Sequence, residues 1–275
     1  MTIHKAVIPA AGFGTRFLPV SKAIPKEMVP VVDRPVIQYV VEEAVAAGIE
    51  EIIIIVSKGK EAIAAHFSRN EELERYLEAK GRHEDAAVIR AVAECARFRF
   101  IEQREMRGLG DAVLCAKEVV GDEPFALLMG DTIIQSEEPV TRQLVEAYKR
   151  YGTSVVAVEE APVEKVSRYG VIRGVRSGDD WRVEGMVEKP SPAEAPSRLA
   201  VCSRYLLTPD IFDKLSRTPP GKGGEIQLTD ALCLQIAERP IHAVQVRGYR
   251  HDIGNAAGFL KANLMLSQRV TDIGS

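Results

Sequence analysis

Residues able to do chemistry gather early in this 275-residue chain. The stretch Pro9-Ala10-Ala11-Gly12-Phe13-Gly14-Thr15-Arg16 directly follows the apolar run Ala6-Val7-Ile8. The small residues Ala10, Ala11, Gly12 and Gly14, with Thr15, let successive backbone N–H groups approach an anion, which is how a phosphate cradle is built. Beyond them Leu18-Pro19, Lys22, Pro25-Lys26-Glu27-Met28 and Pro30 form a proline-stiffened segment. Held beside such a cradle, Arg16, Lys22 and Lys26 can grip a triphosphate and offset charge building on a departing pyrophosphate. Taken singly, each is as readily an exposed loop charge. Two common nucleotide motifs fail: a G-x-G-x-x-G needs glycine where Phe17 stands, and a Walker A sequence needs Gly-Lys-Ser/Thr. The acidic residue of a dinucleotide unit, about 20 positions after its loop, should close the second strand. Here the second strand ends at Val56, too late.

Further candidates stand at the ends of later apolar runs. Asp131 follows Phe125–Met129 and a single Gly130, so its carboxylate would face the same crevice as the glycine loop. Mg²⁺ takes one or two carboxylates together with phosphate oxygens and water. Asp252, in Tyr249-Arg250-His251-Asp252-Ile253-Gly254, is the best candidate for the second. As isolated residues, Asp131 reads as a turn residue and Asp252 as a partner of local backbone amides. Glu188-Lys189-Pro190 closes the run Arg182–Val187, and Pro190 predicts an extended Lys189 with a defined side-chain direction. Gln103 follows Phe98–Ile101 and precedes Gly108-Leu109-Gly110; its amide offers both a donor and an acceptor to the edge of a pyrimidine.

The elements that must position these residues follow from periodicity. Short apolar runs at Ala6–Ile8, Glu51–Val56, Phe98–Ile101 and Phe125–Met129 read as strands. Helical patterns cover Ile37–Ala47 (ended by Gly48), Lys60–Phe67, Glu71–Lys80 and Ala112–Val119. Alternating strands and helices imply an α/β fold, a Rossmann-like mixed, mostly parallel sheet flanked by helices. In such a sheet, ligands sit outside the carboxyl ends of the strands. The second half reads as a smaller strand-rich extension: Val155–Val158, Val171–Arg173, Arg182–Val187 and Leu199–Leu207, with helices over Asp210–Leu215 and Thr229–Ala237 and another after Asn255. Pro190–Pro196 and Thr218–Gly224 read as loops. A single domain over 1–275 is expected, with a nucleotide-binding half over about 1–135 that carries the glycine loop and a second half over about 136–275.

Composition bounds the partners. The 36 Lys and Arg against 39 Asp and Glu give a formal net charge of −3, which argues against a general nucleic-acid or membrane-surface binder. The longest apolar runs are too short to span a bilayer. The N-terminus shows no secretory leader pattern, so a cytoplasmic protein is expected. Cys95, Cys115, Cys202 and Cys233 stand far apart with no C-x-x-C pair, and read as buried free thiols.

The segment P-A-A-G-x-G-T-R-x-L-P followed by P-K-E-M resembles the signature of the sugar-phosphate nucleotidylyltransferases. The likeness extends through Val40–Ile49, Gly108-Leu109-Gly110, Gly121–Phe125, Tyr169-Gly170-Val171-Ile172, Glu188-Lys189-Pro190 and Gly223–Asp230, nearly the whole chain. It implies Mg²⁺-dependent transfer of UMP from UTP to glucose 1-phosphate, and a homodimer or homotetramer. The same resemblance implies that Asp131 and Asp252 flank the metal, and that Gln103, Gly108 and Glu27 line the nucleoside pocket. It implies that Glu188 accepts hydrogen bonds from sugar hydroxyls, that Lys189 neutralises the sugar phosphate, and that Gly170 lets backbone lie against the sugar. Arg16, Lys26, Asp131 and Lys189 then carry catalysis. The attacking phosphate oxygen is already anionic, so repulsion between two phosphates is the obstacle and no general base is required. Two unit charges ~4 Å apart at an effective dielectric near 20 interact by about 4 kcal/mol.

Three positions depart from the family's pattern. Thr132 follows Asp131 where many members carry a second Asp, Asp111 stands where His commonly follows G-L-G, and Cys202-Ser203 precede Arg204-Tyr205 where Gly-Arg-Tyr is usual. Two other readings use the same residues: transfer from dTTP or to another sugar 1-phosphate, and a noncatalytic nucleotide-sugar sensor. Phe259, Leu260, Leu264 and Leu266 can cover either a partner subunit or this chain's own sheet.

Overall fold

The computed structural model describes residues 2–268. In chain order the elements are β1 (Lys5–Pro9), the two-residue strands β2 (Pro30–Val31) and β3 (Arg34–Pro35), α1 (Val36–Ala46) and β4 (Glu51–Val56). Helices α2 (Glu61–His66), α3 (Glu71–Ala79) and α4 (His83–Glu94) precede β5 (Arg97–Glu102). Short helices α5 (Leu109–Leu114) and α6 (Lys117–Val120) lead to β6 (Phe125–Leu128) and β7 (Thr132–Gln135). There follow α7 (Val140–Tyr151), β8 (Val155–Glu160), β9 (Gly170–Ser177), β10 (Asp180–Glu188) and β11 (Leu199–Leu207). The chain ends through α8 (Ile211–Arg217), α9 (Leu228–Glu238), β12 (Ile241–Gln245), β13 (Tyr249–Asp252) and α10 (Ala256–Ser267).

Nine strands form one sheet in the order β5-β4-β1-β6-β11-β8-β12-β10-β9. The first four run parallel, and β12 runs parallel to β8. Only β11 and β10 are reversed against their neighbours, so seven of the nine strands point one way. This is the mixed, mostly parallel sheet expected. Strand β11 from the second half lies between β6 and β8 and joins both halves of the chain into that sheet.

Burial on both faces explains the apolar runs. In β4, Ile52 and Ile54 enter one core with Ile8, Val40, Val41 and Leu144, beneath α1 and α7. Ile53 and Ile55 enter the other with Val7, Val113, Leu215 and Leu232, beneath α5, α8 and α9. A strand buried on both faces needs no polar alternation. Helix α1 stops where Gly48 takes φ +95°, and α7 stops at Gly152, φ +64°, both conformations that glycine adopts without strain.

Several elements differ from the sequence reading. Helices α4 and α7 and strands β7, β12 and β13 form where it placed nothing. The expected helix over Ala112–Val119 begins earlier and is broken into α5 and α6. Of the cysteines, only Cys202 is buried; Cys95, Cys115 and Cys233 are partly exposed, and all four are free. On α10, Phe259 packs edge-on against Phe17 and Leu266 joins the same small core, while Leu260 and Leu264 face outward. Among the described residues, no helix is long and apolar enough to cross a membrane.

Candidate active site

Because β5, β4, β1 and β6 run parallel, the segments after them emerge along one edge. The loop after β1 is pinned there: Ala10 N–H donates to Ile55 O at 2.7 Å, and Ser57 Oγ donates to Ala11 O at 2.7 Å. Gly14 takes φ +67°, and a Cβ at that position would lie 3.2 Å from Lys26 Cβ. Glycine therefore lets the Pro25–Met28 turn pack onto the loop. A cleft of about 390 Å³ opens here, lined by Ala11, Gly12, Gly14, Thr15, Lys26, Glu27, Gln103, Gly108 and Asp131. Ala10, just past the end of β1, is buried in the core and does not line the cleft, and Lys22 is exposed outside it.

Charges beside this cleft are tightly paired. Lys26 Nζ sits 2.5 Å from Asp131 Oδ2 and 3.9 Å from Glu27. Burial alone would lower the Lys26 pKa, but Asp131 and then Glu27 outweigh it and hold it above the ordinary value. Burial alone would raise Asp131, but Lys26 and then Arg16 outweigh it and hold it below. Both groups are therefore charged at neutral pH. Glu27 is almost fully buried and pairs with Lys60 Nζ at 2.8 Å. Burial pushes the Glu27 carboxyl up and the Lys60 ammonium down, against the attraction of the pair.

A second cleft of about 450 Å³ holds Arg16, Asp131, Gly170, Glu188, Lys189 and Asp252, together with Thr132, Arg168, Ser203, Thr229 and Arg250. Asp131 lines both clefts. Arg16, grouped in the sequence with the triphosphate residues, lies in this second one. Asp252 is brought beside Asp131 by the β7–β13 ladder, in which it stands opposite Thr132, and Ile253 N–H donates to Asp131 O at 3.2 Å. Asp252 Oδ1 also accepts the Gly254 N–H at 3.0 Å, so its local-turn and cleft readings coexist. Glu188 Oε2 accepts from Thr229 Oγ1 at 2.6 Å, and Lys189 Nζ lies 3.2 Å from Glu188 Oε1. A Cβ on Gly170 would come within 3.3 Å of both Glu188 Oε2 and Thr229 Oγ1.

Lys189 corrects one expectation. It is not extended: its φ is +46°. Its N–H donates to Tyr169 O at 3.0 Å, one bond beyond the β9–β10 ladder, while Pro190 is buried. These tertiary contacts outweigh the local preference that a following proline imposes.

Four supporting residues carry no motif of their own. Thr229 orients Glu188, Lys60 compensates Glu27, and Asp111 accepts from Gln103 Nε2 at 2.8 Å. Arg204, fully buried, donates to Glu43 at 2.7 Å and to Thr132 O at 2.9 Å, fixing the strand that follows Asp131. Thr229, Asp111 and Arg204 lie in or beside segments that carry the resemblance. Two of the three departures meet in space: Thr132 Oγ1 and Ser203 Oγ are 3.4 Å apart on the wall of the second cleft.

The nucleotidyl transferase family pattern matches residues 5–269. The chain belongs to this family. It is 51% identical to the UTP–glucose-1-phosphate uridylyltransferase YngB of Bacillus subtilis over 95% of this chain and 88% of that protein. A second Bacillus subtilis protein, named UTP–glucose-1-phosphate uridylyltransferase, is 48% identical over 95% of this chain and 90% of its own length. A solved UDP-glucose pyrophosphorylase in complex with UDP-glucose superposes with a TM-score of 0.89 at 42% identity, covering 98% of this chain and all of that one. A UTP-bound structure from Acinetobacter baumannii superposes with a TM-score of 0.90 at 41% identity, covering 96% and 93%.

Nucleotidyl transferases of this kind generally use a divalent metal. Among the described residues of this transferase, no group of three or more His, Cys, Asp and Glu is placed to hold one. The pair Asp131 and Asp252 nevertheless suits a hard cation that draws its other ligands from phosphate oxygens and water.

Proposed function

We propose that this nucleotidyl transferase moves UMP from UTP to glucose 1-phosphate, giving UDP-glucose and pyrophosphate. The observation that carries the reading is that Asp131 lines both clefts, which makes it the meeting point of two anionic reactants. The first cleft, drawn mainly from residues 1–135, takes UTP; the second, drawn mainly from 136–275, takes the sugar phosphate. UTP is favoured over other nucleotides by the names of the two Bacillus relatives, and UDP-glucose as product by the liganded structural relative.

An oxygen of glucose 1-phosphate attacks the α-phosphorus in line; the bond from that phosphorus to the β-phosphate oxygen breaks, and pyrophosphate departs with its electron pair. The loop amides from Ala11 to Thr15 bind the triphosphate, and Lys26 stabilises the charge that grows on the leaving group. Arg16, placed in the second cleft beside Asp131, screens one phosphate from the other. Lys189 neutralises the sugar phosphate, and Glu188, oriented by Thr229, accepts from sugar hydroxyls. Asp131 and Asp252 would hold Mg²⁺, which supplies Lewis-acid polarisation of the phosphoryl oxygens. No proton needs to be removed, since the nucleophile is an anion already.

Pyrophosphate release measured across a matrix of nucleoside triphosphates and sugar 1-phosphates tests the assignment. UTP with glucose 1-phosphate should give the highest kcat/KM. A larger value for dTTP, or for a different sugar phosphate, would reassign the substrate while keeping the chemistry, and no release with any pair would leave a noncatalytic binder.

A further inference from the structure

Gln103 is buried at the end of β5, where its backbone N–H donates to Val56 O at 2.7 Å. Its side-chain Nε2 donates to Asp111 Oδ2 at 2.8 Å and to Gly108 O at 3.3 Å. A carboxylate and a peptide carbonyl can only accept. Turning the amide over would set its oxygen against both, so an amide otherwise free to make a half-turn is held one way round. Asp111 is itself held from its other oxygen: Arg107 Nε and Nη2 donate to Oδ1 at 3.1 and 2.8 Å. The Gly108 carbonyl is held as well, since it also accepts the Ala112 N–H at 3.1 Å.

We infer that Asp111, acting through Gln103, makes the nucleotide cleft select a pyrimidine that carries a ring N–H. The inference rests on the reading of the first cleft as the nucleoside triphosphate site. Gln103 lines that cleft, and among the described residues no donor reaches its Oε1. With Nε2 committed to Asp111 and Gly108, the amide presents an acceptor to the base. Uracil and thymine offer N3–H to it, whereas cytosine offers a lone pair at the same ring position. A buried acceptor facing a lone pair loses its hydrogen bond without regaining water. Asp111 itself touches no base in this scheme and is a positioning residue.

The test is equilibrium binding of UTP, dTTP and CTP, by calorimetry, to the full chain without sugar phosphate. The wild-type protein should bind UTP and dTTP at least tenfold more tightly than CTP. In Asp111→Asn, which keeps the side-chain shape but can donate as well as accept, the amide can turn, and the UTP:CTP ratio should fall toward unity. Asp111→Ser, smaller and equally two-sided, gives the same readout should the Asn variant melt early. In a Gln103→Ala background, Asp111→Asn should shift the ratio no further, since the two residues act as one unit. A wild-type ratio retained in both Asp111 variants, an extra shift in the Gln103→Ala background, or equal UTP and CTP binding by the wild type overturns the inference. Selective UTP binding without uridylyl transfer would sink the proposed reaction and leave this inference standing.

Discussion

Lys26 Nζ lies 2.5 Å from Asp131 Oδ2, an ion pair that ties the segment after the glycine loop to the end of β6. In the proposed reaction the two partners serve different reactants, the ammonium a departing pyrophosphate and the carboxylate a divalent cation. Asp131→Asn keeps the side-chain volume and removes the charge. Turnover should fall at least ~100-fold, the order seen when a single electrostatic stabiliser is lost, while UTP binding changes far less. Pyrophosphate release and calorimetric UTP binding check this; near-normal turnover at saturating Mg²⁺ would remove Asp131 from the metal site.

The same pair sets a pH window for stability. Lys26 is held above its ordinary 10.5 and Asp131 below its ordinary 3.8. A base with a raised folded pKa contributes stability that is complete below its unfolded value and is lost as pH rises through the folded one. An acid with a depressed folded pKa contributes above its unfolded value and loses that contribution as pH falls through the folded one. The difference in unfolding free energy between wild type and Asp131→Asn should therefore be flat from about pH 5 to 9 and shrink below about pH 4. Urea unfolding at several pH values measures it, and a slope inside the flat range would show that another group controls the pair.

Arg204 and Glu43 form the buried brace behind the site. Thr141 adds its N–H and hydroxyl to Glu43 Oε1 at 3.1 and 2.8 Å, so the carboxylate is fully engaged. Replacing Glu43 by Ala strands a buried guanidinium, which costs about 3–5 kcal/mol. Because Arg204 also holds the Thr132 carbonyl, kcat should fall along with the denaturation midpoint. A loss of stability below about 1 kcal/mol would mean that water reaches Arg204 when its partner is removed.

Ser203 holds φ +66° in β11, at the irregularity where its pairing with β8 shifts register. A side chain in that conformation costs roughly 1–2 kcal/mol, partly offset by the entropy glycine loses on folding. Ser203→Gly should therefore stabilise the fold by about 0.5–1 kcal/mol, visible as a higher denaturation midpoint. It also removes the hydroxyl beside Thr132, so any change in kcat/KM between sugar 1-phosphates reports on that wall of the second cleft. Lower stability would show that the 3.4 Å contact with Thr132 outweighs the strain.

The sequence alone determined where the site would form. Strand ends were legible because Ile52–Ile55 and Phe125–Leu128 are apolar on both faces, and parallel strands bring their following segments to one edge. Gly12, Gly14 and Lys26 could be picked out from residue type and local spacing, whereas Asp131, Glu188 and Asp252 stood out only when their places at strand ends were joined to the family resemblance. Tertiary structure decided what those residues touch. Lys26 meets Asp131 across 105 positions and Arg204 meets Glu43 across 161, distances over which no local rule specifies a partner. Lys189 turned left-handed because a hydrogen bond to Tyr169 outweighed the preference imposed by Pro190. Helix α7 buries Val140, Leu144 and Tyr148 at four-residue spacing, a stripe present in the sequence among mostly polar and charged neighbours. Asp111 read as a departure until folding set it against Gln103: a side chain's chemistry is fixed by its type, but its role is fixed by the neighbour that the chain's return brings to it.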